Sequence, residues 1–351
     1  MADYDIVIVG GGPAGAFLSY LLSSRGYRVA LYDMAPRLGI KPCGCLVPAV
    51  ISEIYNIPEE FIISRVKGYR VYLDLELIHE GYGETIAYHI DKPKLLNYLA
   101  SSVDIRLKSY VNLRHPVKEL LEQLRAREAV VVATGALYFR APSEKIYAVQ
   151  TRVKVSEYLS PEIIELYFQS DLVGYYWVFP ESERIAKVGV GGCRSPSQLV
   201  ALLQRFLRLK GFEPLEPIRG SYIVCSKPLR ESVYSLPTPT IGEAAGFVMP
   251  ISGEGIRPSM ISAYALYRFI EASEKPKILD RISRWISVQY NLLNKYIKAS
   301  KETRVKLLKS IPIELAMKLA FGDSDFSSLL SSVKNLPFSI LSILLRTLIK
   351  A

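Results

Sequence analysis

Apolar positions along the chain fall into two textures. Residues 4–9, YDIVIV, form a short β-branched run with no polar alternation after its first residues, which predicts a strand buried on both faces. AFLSYLLSSRG then carries apolar residues at helical spacing and stops at Gly26, and YRVALYD reads as a second strand. AVVVATG at 129–135 repeats the pattern of a buried strand ending in a turn. Between them, DKPKLLNYLA predicts a helix with Asp91 as N-cap and Pro93 in its first turn. The second texture occupies 68–90 and 145–235. There YRVYLDL, ETIAYHI, IIELYF, YYWVFP and RIAKVGVGG alternate in polarity and are separated by Gly, Pro and Ser, the pattern of an antiparallel sheet. SMISAYALYRFIEAS returns to helical spacing, and the chain reads as helices from about residue 276.

The predicted fold class is α/β (α+β overall). A Rossmann-type nucleotide-binding domain is expected from 1–55, 86–140 and 236–275. An inserted antiparallel-sheet substrate domain is expected from 56–85 and 141–235, and a helical C-terminal region from 276–351. The first β–turn–α–β unit holds Gly10-x-Gly12-x-x-Gly15 in its turn and Asp33 at the end of its second strand. Gly10 permits the tight turn, Gly12 lets the backbone approach a pyrophosphate, and Gly15 lets helix pack on strand. The helix N-terminus offers N–H donors to the phosphates, and Asp33 can accept from a ribose hydroxyl.

Charge adds one feature. Residues 281–351 hold 12 Lys and Arg against 4 Asp and Glu, which is +8 of the net +10. This suits a negatively charged partner, an anionic lipid surface or an acidic electron-transfer protein, and equally a solvated helical face; nucleic acid is not expected. The four cysteines are too few and too scattered for a disulfide framework, and none has zinc-site spacing. ADYDIVIVG after Met1 carries no secretory pattern, and no apolar run reaches the roughly 18 residues that cross a bilayer. The expected location is the cytoplasm, with peripheral contact at the inner face of a membrane.

A second informative stretch is 242–256, GEAAGFVMPISGEGI. With the N-terminal turn it resembles the paired signatures of flavoproteins of the para-hydroxybenzoate hydroxylase fold, with Glu243 standing for the usual Asp. Within that fold three further segments resemble the geranylgeranyl reductase family. KPCGCLVP at 41–48 matches its Lys-x-Cys-Gly motif, with Cys45 where a glycine is more usual. GYYWVFP at 174–180 matches its GYxWxFP segment, and the helix after Asp91-Lys92 is a weakened form of a third. The resemblance, spread over roughly residues 3–275, implies an FAD site. Its residues would be Gly10, Gly12, Pro13, Ala14, Gly15, Asp33, Met34, Lys41, Gly44, Lys92, Ala133, Thr134, Gly135, Gly242, Glu243, Pro250, Gly253, Gly255 and Ile256. Two departures stand out: the strand at 129 ends in Thr134-Gly135 where related hydroxylases have Asp-Gly, and the short stretch after Tyr98 leaves no room for their small β-meander.

The activity implied is saturation of isolated C=C bonds in an isoprenoid chain, with the electron donor open between a ferredoxin and a reduced nicotinamide cofactor. Tyr175, Trp177 and Phe179 alternate along one strand and share a face, either as an apolar wall over the alkene or as plain sheet core. Cys43, with Lys41 close by, is the candidate proton donor, or a thiolate shaping the site, or a small buried filler. A disulfide from Cys43 to Cys45 would be strained, so Cys45 is read as packing. The rivals are a flavin monooxygenase or halogenase of the same fold, an FAD-bearing electron-transfer or lipid-binding protein, and a reductase of quinone tails.

Overall fold

The computed structural model describes residues 3–137, 145–311 and 316; the apolar tail at 338–350 lies outside them. In chain order the strands are β1 (Tyr4–Val9), β2 (Val29–Tyr32), β3 (Leu46–Pro48), β4 (Ile62–Leu73), β5 (Glu76–Ile90), β6 (Asp104–Arg106) and β7 (Ala126–Val132). They continue as β8 (Lys145–Lys154), β9 (Ile163–Phe168), β10 (Gly174–Pro180), β11 (Ile185–Gly192), β12 (Glu213–Pro214) and β13 (Arg219–Val224). The helices are α1 (Pro13–Ser23), α2 (Lys92–Leu99), α3 (Val117–Gln123), α4 (Pro196–Lys210), α5 (Ile256–Ala272), α6 (Lys277–Lys298) and α7 (Lys301–Ser310). The chain divides into two units. Unit 1 is Met1–Ile40, Asp91–Glu144 and Val224–Ser287; unit 2 is Lys41–Ile90, Lys145–Ile223 and Val288–Ala351.

Unit 1 is built on a parallel sheet of order β6-β2-β1-β7. Beyond β7 the segment at Pro237–Ile241 adds backbone hydrogen bonds, Val130 N to Pro237 O and Ile241 N to Val132 O. Both faces are covered, as the unbroken apolar runs require. Val7, Val9, Ala30 and Val130 meet Leu120 and Leu124 of the α3 region, while Gly15 of α1 lies against Ile8 on the other face. The short β6 and α3 fill the stretch between α2 and β7, where no meander was expected.

Unit 2 is a nine-stranded sheet whose main path runs β12-β8-β11-β10-β9-β4-β5-β3, with β13 against β8. It departs from the antiparallel expectation at one seam, β4 with β9, which is parallel. A parallel pair needs a long crossover, and here the chain passes through unit 1 between β5 and β8. The boundaries also differ from those expected. β3 pairs with β5 at His89, Tyr88 and Ala87, and residues 41–55 and 86–90 belong to this unit. The stretch 145–235 further contains a helix that strand alternation hid. α4 opens with a reciprocal Ser195–Gln198 capping box and closes at Gly211 in the left-handed conformation. Its Leu199, Leu203, Phe206 and Leu207 cover one face of the sheet, against Tyr176, Val178, Val188 and Val190.

Truncating Leu203, which is fully buried, to alanine is expected to destabilise unit 2 by about 2–5 kcal/mol. The chain has two tryptophans, Trp177 in unit 2 and Trp285 in unit 1. In a Trp285→Phe background, urea unfolding followed by fluorescence should show the lowered midpoint, and an unchanged midpoint would refute this packing.

Candidate functional site

The expected site residues divide between the units. Unit 1 holds the glycine turn. Gly10 has φ +113°, and a Cβ there would lie 2.3 Å from the Ala133 carbonyl oxygen; a Cβ on Gly15 would lie 1.9 Å from the Gly10 oxygen. Both positions therefore need glycine for packing alone. Gly12 differs, because a Cβ there meets nothing within 4 Å, and its backbone is extended at φ −75°. Gly12 also leaves α1 without a side-chain cap, whereas α2, α4 and α7 are capped by Asp91, Ser195 and Ser300. Bare N–H groups at Ala14 and Gly15, beside open space at Gly12 and with Pro13 at the first helical position, have the geometry that would suit a phosphate.

Asp33 is oriented by two backbone donors, Gly11 N at 2.6 Å and Ala35 N at 2.7 Å, and its remaining lone pairs stay available to a hydroxyl. Met34 beside it is exposed, and Lys92 is buried in α2. Thr134 follows β7, and its buried hydroxyl has no hydrogen-bond partner in the protein. Gly135 and Glu243 meet there: a Cβ on Gly135 would stand 3.2 Å from Glu243 Oε2, while Glu243 Oε1 accepts from Val224 N at 3.1 Å. Gly242, at φ +66°, packs against Ala14 and donates its N–H to Ser262 Oγ at 2.8 Å. The Pro250 carbonyl faces the Cys225 thiol, Gly253 takes φ +70°, and Gly255 and Ile256 open α5. At that helix start lies an ion pair with almost no exposure, Arg257 Nη2 to Glu254 Oε2 at 3.0 Å. Glycines that only pack, one that stands open, a bare helix start and an orphaned hydroxyl together fit the phosphate and ribose parts of a dinucleotide.

Unit 2 holds Lys41, Cys43, Gly44, Tyr175, Trp177 and Phe179. The three aromatics are neighbours along β10, with ring centroids 6.1 Å and 6.2 Å apart. Trp177 lies against Gly189 of β11, where a Cβ would approach its ring to 2.2 Å. Its buried indole nitrogen has no hydrogen-bond partner in the protein. The cysteine turn reaches this face at Phe179, whose ring leaves no room for a side chain on Gly44. Gln150 Nε2 donates to the Cys43 carbonyl at 3.1 Å. Cys45 takes φ +59°, which explains why glycine suits this position. It donates its N–H to Cys43 Sγ and its thiol to the Cys43 carbonyl, both at 3.3 Å. Cys43 is half-buried and Cys45 buried, and neither is in a disulfide.

Sequence reading missed the polar groups behind this turn. Lys187 of β11 stands across from Phe179. Its ammonium meets Glu181 Oε1 at 3.2 Å, His89 Nε2 at 3.5 Å and the Cys45 sulfur. Burial works against that charge, but the Cys45 sulfur and the Glu181 carboxylate outweigh it and raise the lysine above its ordinary range. Glu181 is lowered, since Lys187 and Arg152, the latter at 2.7 Å, overcome its burial. His89 is pushed down to about 4, first by burial and then by Lys187. The His89 Nδ1–H donates to the Pro180 carbonyl at 3.1 Å, which leaves Nε2 as acceptor for Lys187. The only hint in the sequence was parity: 187, 189 and 191 share a face, and Trp177 needs glycine at 189.

Unit 1 defines a Rossmann-type dinucleotide-binding protein, and residues 8–41 match the family described as an NAD(P)-binding Rossmann-like domain. The chain is similar to the digeranylgeranylglycerophospholipid reductase of Thermoplasma acidophilum, 25% identical over 342 residues that cover 83% of this chain and 85% of that protein. In structure it is similar to a geranylgeranyl bacteriochlorophyll reductase-like protein from the same organism, with TM-score 0.74 and 21% identity over 98% of this chain and 99% of that one. A myxobacterial chondrochloren halogenase shares the fold at TM-score 0.59 and 16% identity, over 99% and 97% of the two chains. The resemblance to the geranylgeranyl reductase family drawn from a few segments thus extends along most of the chain.

Gly12→Val is expected to weaken FAD binding more than tenfold in a flavin-fluorescence titration while moving the melting temperature by no more than about 2 °C, since its Cβ meets no protein atom. Gly10→Ala should instead cost stability, by at least ~2 kcal/mol. For His89 the sign follows from its depressed value: between about pH 6.5 and 4 the unfolded state binds the extra proton, so stability falls as pH falls. His89→Gln should flatten that acid limb, and an unchanged limb in urea titrations at pH 4.5–7 would contradict the buried neutral imidazole.

Proposed function

We propose that the chain is an FAD-dependent reductase that saturates isolated double bonds of a geranylgeranyl or similar isoprenoid chain, carried on a membrane lipid or its precursor. The observation that carries this reading is the packing of a thiol turn against an aromatic strand face within one unit, Gly44 on Phe179 with Cys43 beside it. A trisubstituted alkene has no carbonyl to polarise it, so its reduction requires a hydride at one carbon and a proton at the other. FAD, which the turn of Gly10, Gly12 and Gly15 in unit 1 would hold, would supply the hydride when reduced. Cys43 supplies the proton and regains it from water. Tyr175, Trp177 and Phe179 offer the alkene an apolar surface that keeps water from it. The names of the curated relatives support the substrate class.

Electrons reach the flavin from a ferredoxin or a reduced nicotinamide cofactor. The basic α7, with Lys301, Arg304, Lys306 and Lys309, suits an acidic protein or an anionic lipid surface at the inner face of a membrane. Among the described residues no helix is long and apolar enough to cross a membrane. The halogenase neighbour makes oxygen chemistry the second reading; Thr134-Gly135 in place of Asp-Gly and the Cys43 turn speak against it.

The test reduces the purified flavoprotein with dithionite under anaerobic conditions and adds geranylgeranyl glycerophospholipid. Reoxidation of the flavin should accompany a gain of two mass units per bond, slowed about 100-fold in Cys43→Ala. Flavin that stays reduced with every prenyl lipid, yet reoxidises in oxygen with hydroxylation or halogenation of an aromatic, would overturn the reading.

A further inference from the structure

The polar group behind the cysteine turn is costly to build. Lys187 and Glu181 have side-chain exposures of 13% and 11%, and His89 is fully buried. A buried ammonium persists only where each of its protons finds an acceptor. Lys187 has three, the Glu181 carboxylate, the His89 Nε2 lone pair and the Cys45 sulfur. The set comes from separate elements: His89 from β5, Lys187 from β11, Glu181 just past β10, and Arg152 from β8, which neutralises the second side of the carboxylate. Lys41, exposed in the turn itself, is the remaining charged side chain of the segment.

The turn is bent to meet this group. Cys45 occupies a left-handed conformation that costs a non-glycine residue roughly 1 kcal/mol. In return its sulfur reaches Lys187, and its N–H points at Cys43 Sγ. The Cys43 sulfur receives that N–H, and the Lys187 charge, in contact with Cys45, also acts on Cys43 through space; both favour a thiolate at Cys43.

We propose that Lys187 is a positioning residue for the Cys43-Gly44-Cys45 turn, holding one largely buried positive charge against the Cys45 sulfur and within electrostatic reach of Cys43, so that Cys43 ionises and re-protonates near neutral pH. The inference rests on the reading of Cys43 as the proton donor and gives that reading its means. A proton donor works best when its affinity for the proton lies near the working pH, and an ordinary thiol near 8.5 would be slow to give one up. The proton that leaves Cys43 Sγ goes to the alkene carbon opposite the hydride, and the thiolate left behind is stabilised by Lys187 until water returns the proton. No electrons pass through the sulfur.

The test needs neither lipid nor turnover. Iodoacetamide alkylation of Cys43, followed by peptide mass spectrometry across pH 5–10, reports its ionisation. The wild type should show a midpoint below the ordinary thiol value. Lys187→Met should move the midpoint up by about one unit, a roughly tenfold slower reaction at pH 7, and Lys187→Arg should keep most of the wild-type profile. Glu181→Gln should move it down, because a negative charge is removed from the same group. Opposite shifts in the Met and Gln variants are what a merely structural role cannot produce. An unmoved profile in Lys187→Met, or the same shift in both variants, overturns the proposal. If Lys187→Met does not fold by circular dichroism, the Arg and Gln variants decide by the same signs. A shifted profile in a protein that reduces no prenyl lipid would uphold Lys187 and overturn the substrate reading alone.

Discussion

Trp177 can lie flat on its sheet only because the strand beside it carries Gly189, where even a methyl group would stand 2.2 Å from the ring. The other glycine of β11 opposite this row, Gly191, pairs with Tyr175, so two of the three rings on this face of β10 face residues without side chains. The third ring, Phe179, faces Lys187 across the strands and Gly44 in the cysteine turn. One row of aromatic side chains therefore sets three things together: which residues of β11 must be glycine, where the turn can rest, and where a lysine enters. The opposite face of the same strand, Tyr176 and Val178, is spent on α4. The strand alternation thus separates an ordinary core from a surface with chemistry, using adjacent residues of a single segment.

The two units use glycine differently, and the difference bears on function. In unit 1, Gly10 and Gly15 are fixed by backbone atoms of the protein itself, so their identity says nothing direct about a ligand. Gly12 is free of such contacts, and its lack of a side chain answers to something outside the protein. In unit 2, Gly44 answers to Phe179, while the next residue in the KPCGC stretch, Cys45, takes a left-handed turn without being glycine. Cys45 accepts backbone strain that glycine would avoid. The compensation is its sulfur, engaged with the Cys43 carbonyl and with Lys187. Strain held by specific partners of this kind gathers where a side chain is needed for its chemistry.

Much of this is legible in the sequence. The strand, glycine turn, helix and acid at 4–33 each have a local signature, and the parallel sheet follows from uninterrupted apolar runs. Strands β4, β5, β9, β10 and β11 were announced by their alternation. Two kinds of feature were not read. α4 carries a capping box and helical spacing in its own sequence, so its signal was present and was overridden by the sheet texture around it. The parallel β4–β9 seam and the membership of 41–55 in the second unit depend on pairings between distant segments, for which no local pattern exists. The same holds for Lys187, Glu181, Arg152 and His89. Each looks like an ordinary strand residue, and only the register of β10, β11, β8 and β5 assembles them. Lys41 was named as the cation beside Cys43 because it is near in sequence; Lys41 is exposed, and Lys187, far away in sequence, is the cation largely withdrawn from solvent.

A buried group of charges is rarely the cheapest way to stabilise a sheet, since well-packed apolar residues of the same volume often do as well or better. Its presence behind the cysteine turn therefore asks for a reason beyond stability. Position supplies one. His89 is held neutral by burial and by the Lys187 charge, with its tautomer set by the hydrogen bond to Pro180; Glu181 is held ionised by Lys187 and Arg152, and the ammonium between them has its third proton directed at sulfur. Remove the two cysteines from that description and the lysine lacks its third acceptor; remove the lysine and the buried carboxylate loses a partner while both sulfurs lose their counter-charge. The turn and the charges are thus parts of one arrangement. What links them is electrostatic, which is why a motif read from sequence alone contained the sulfur and not the cation that gives it a working range.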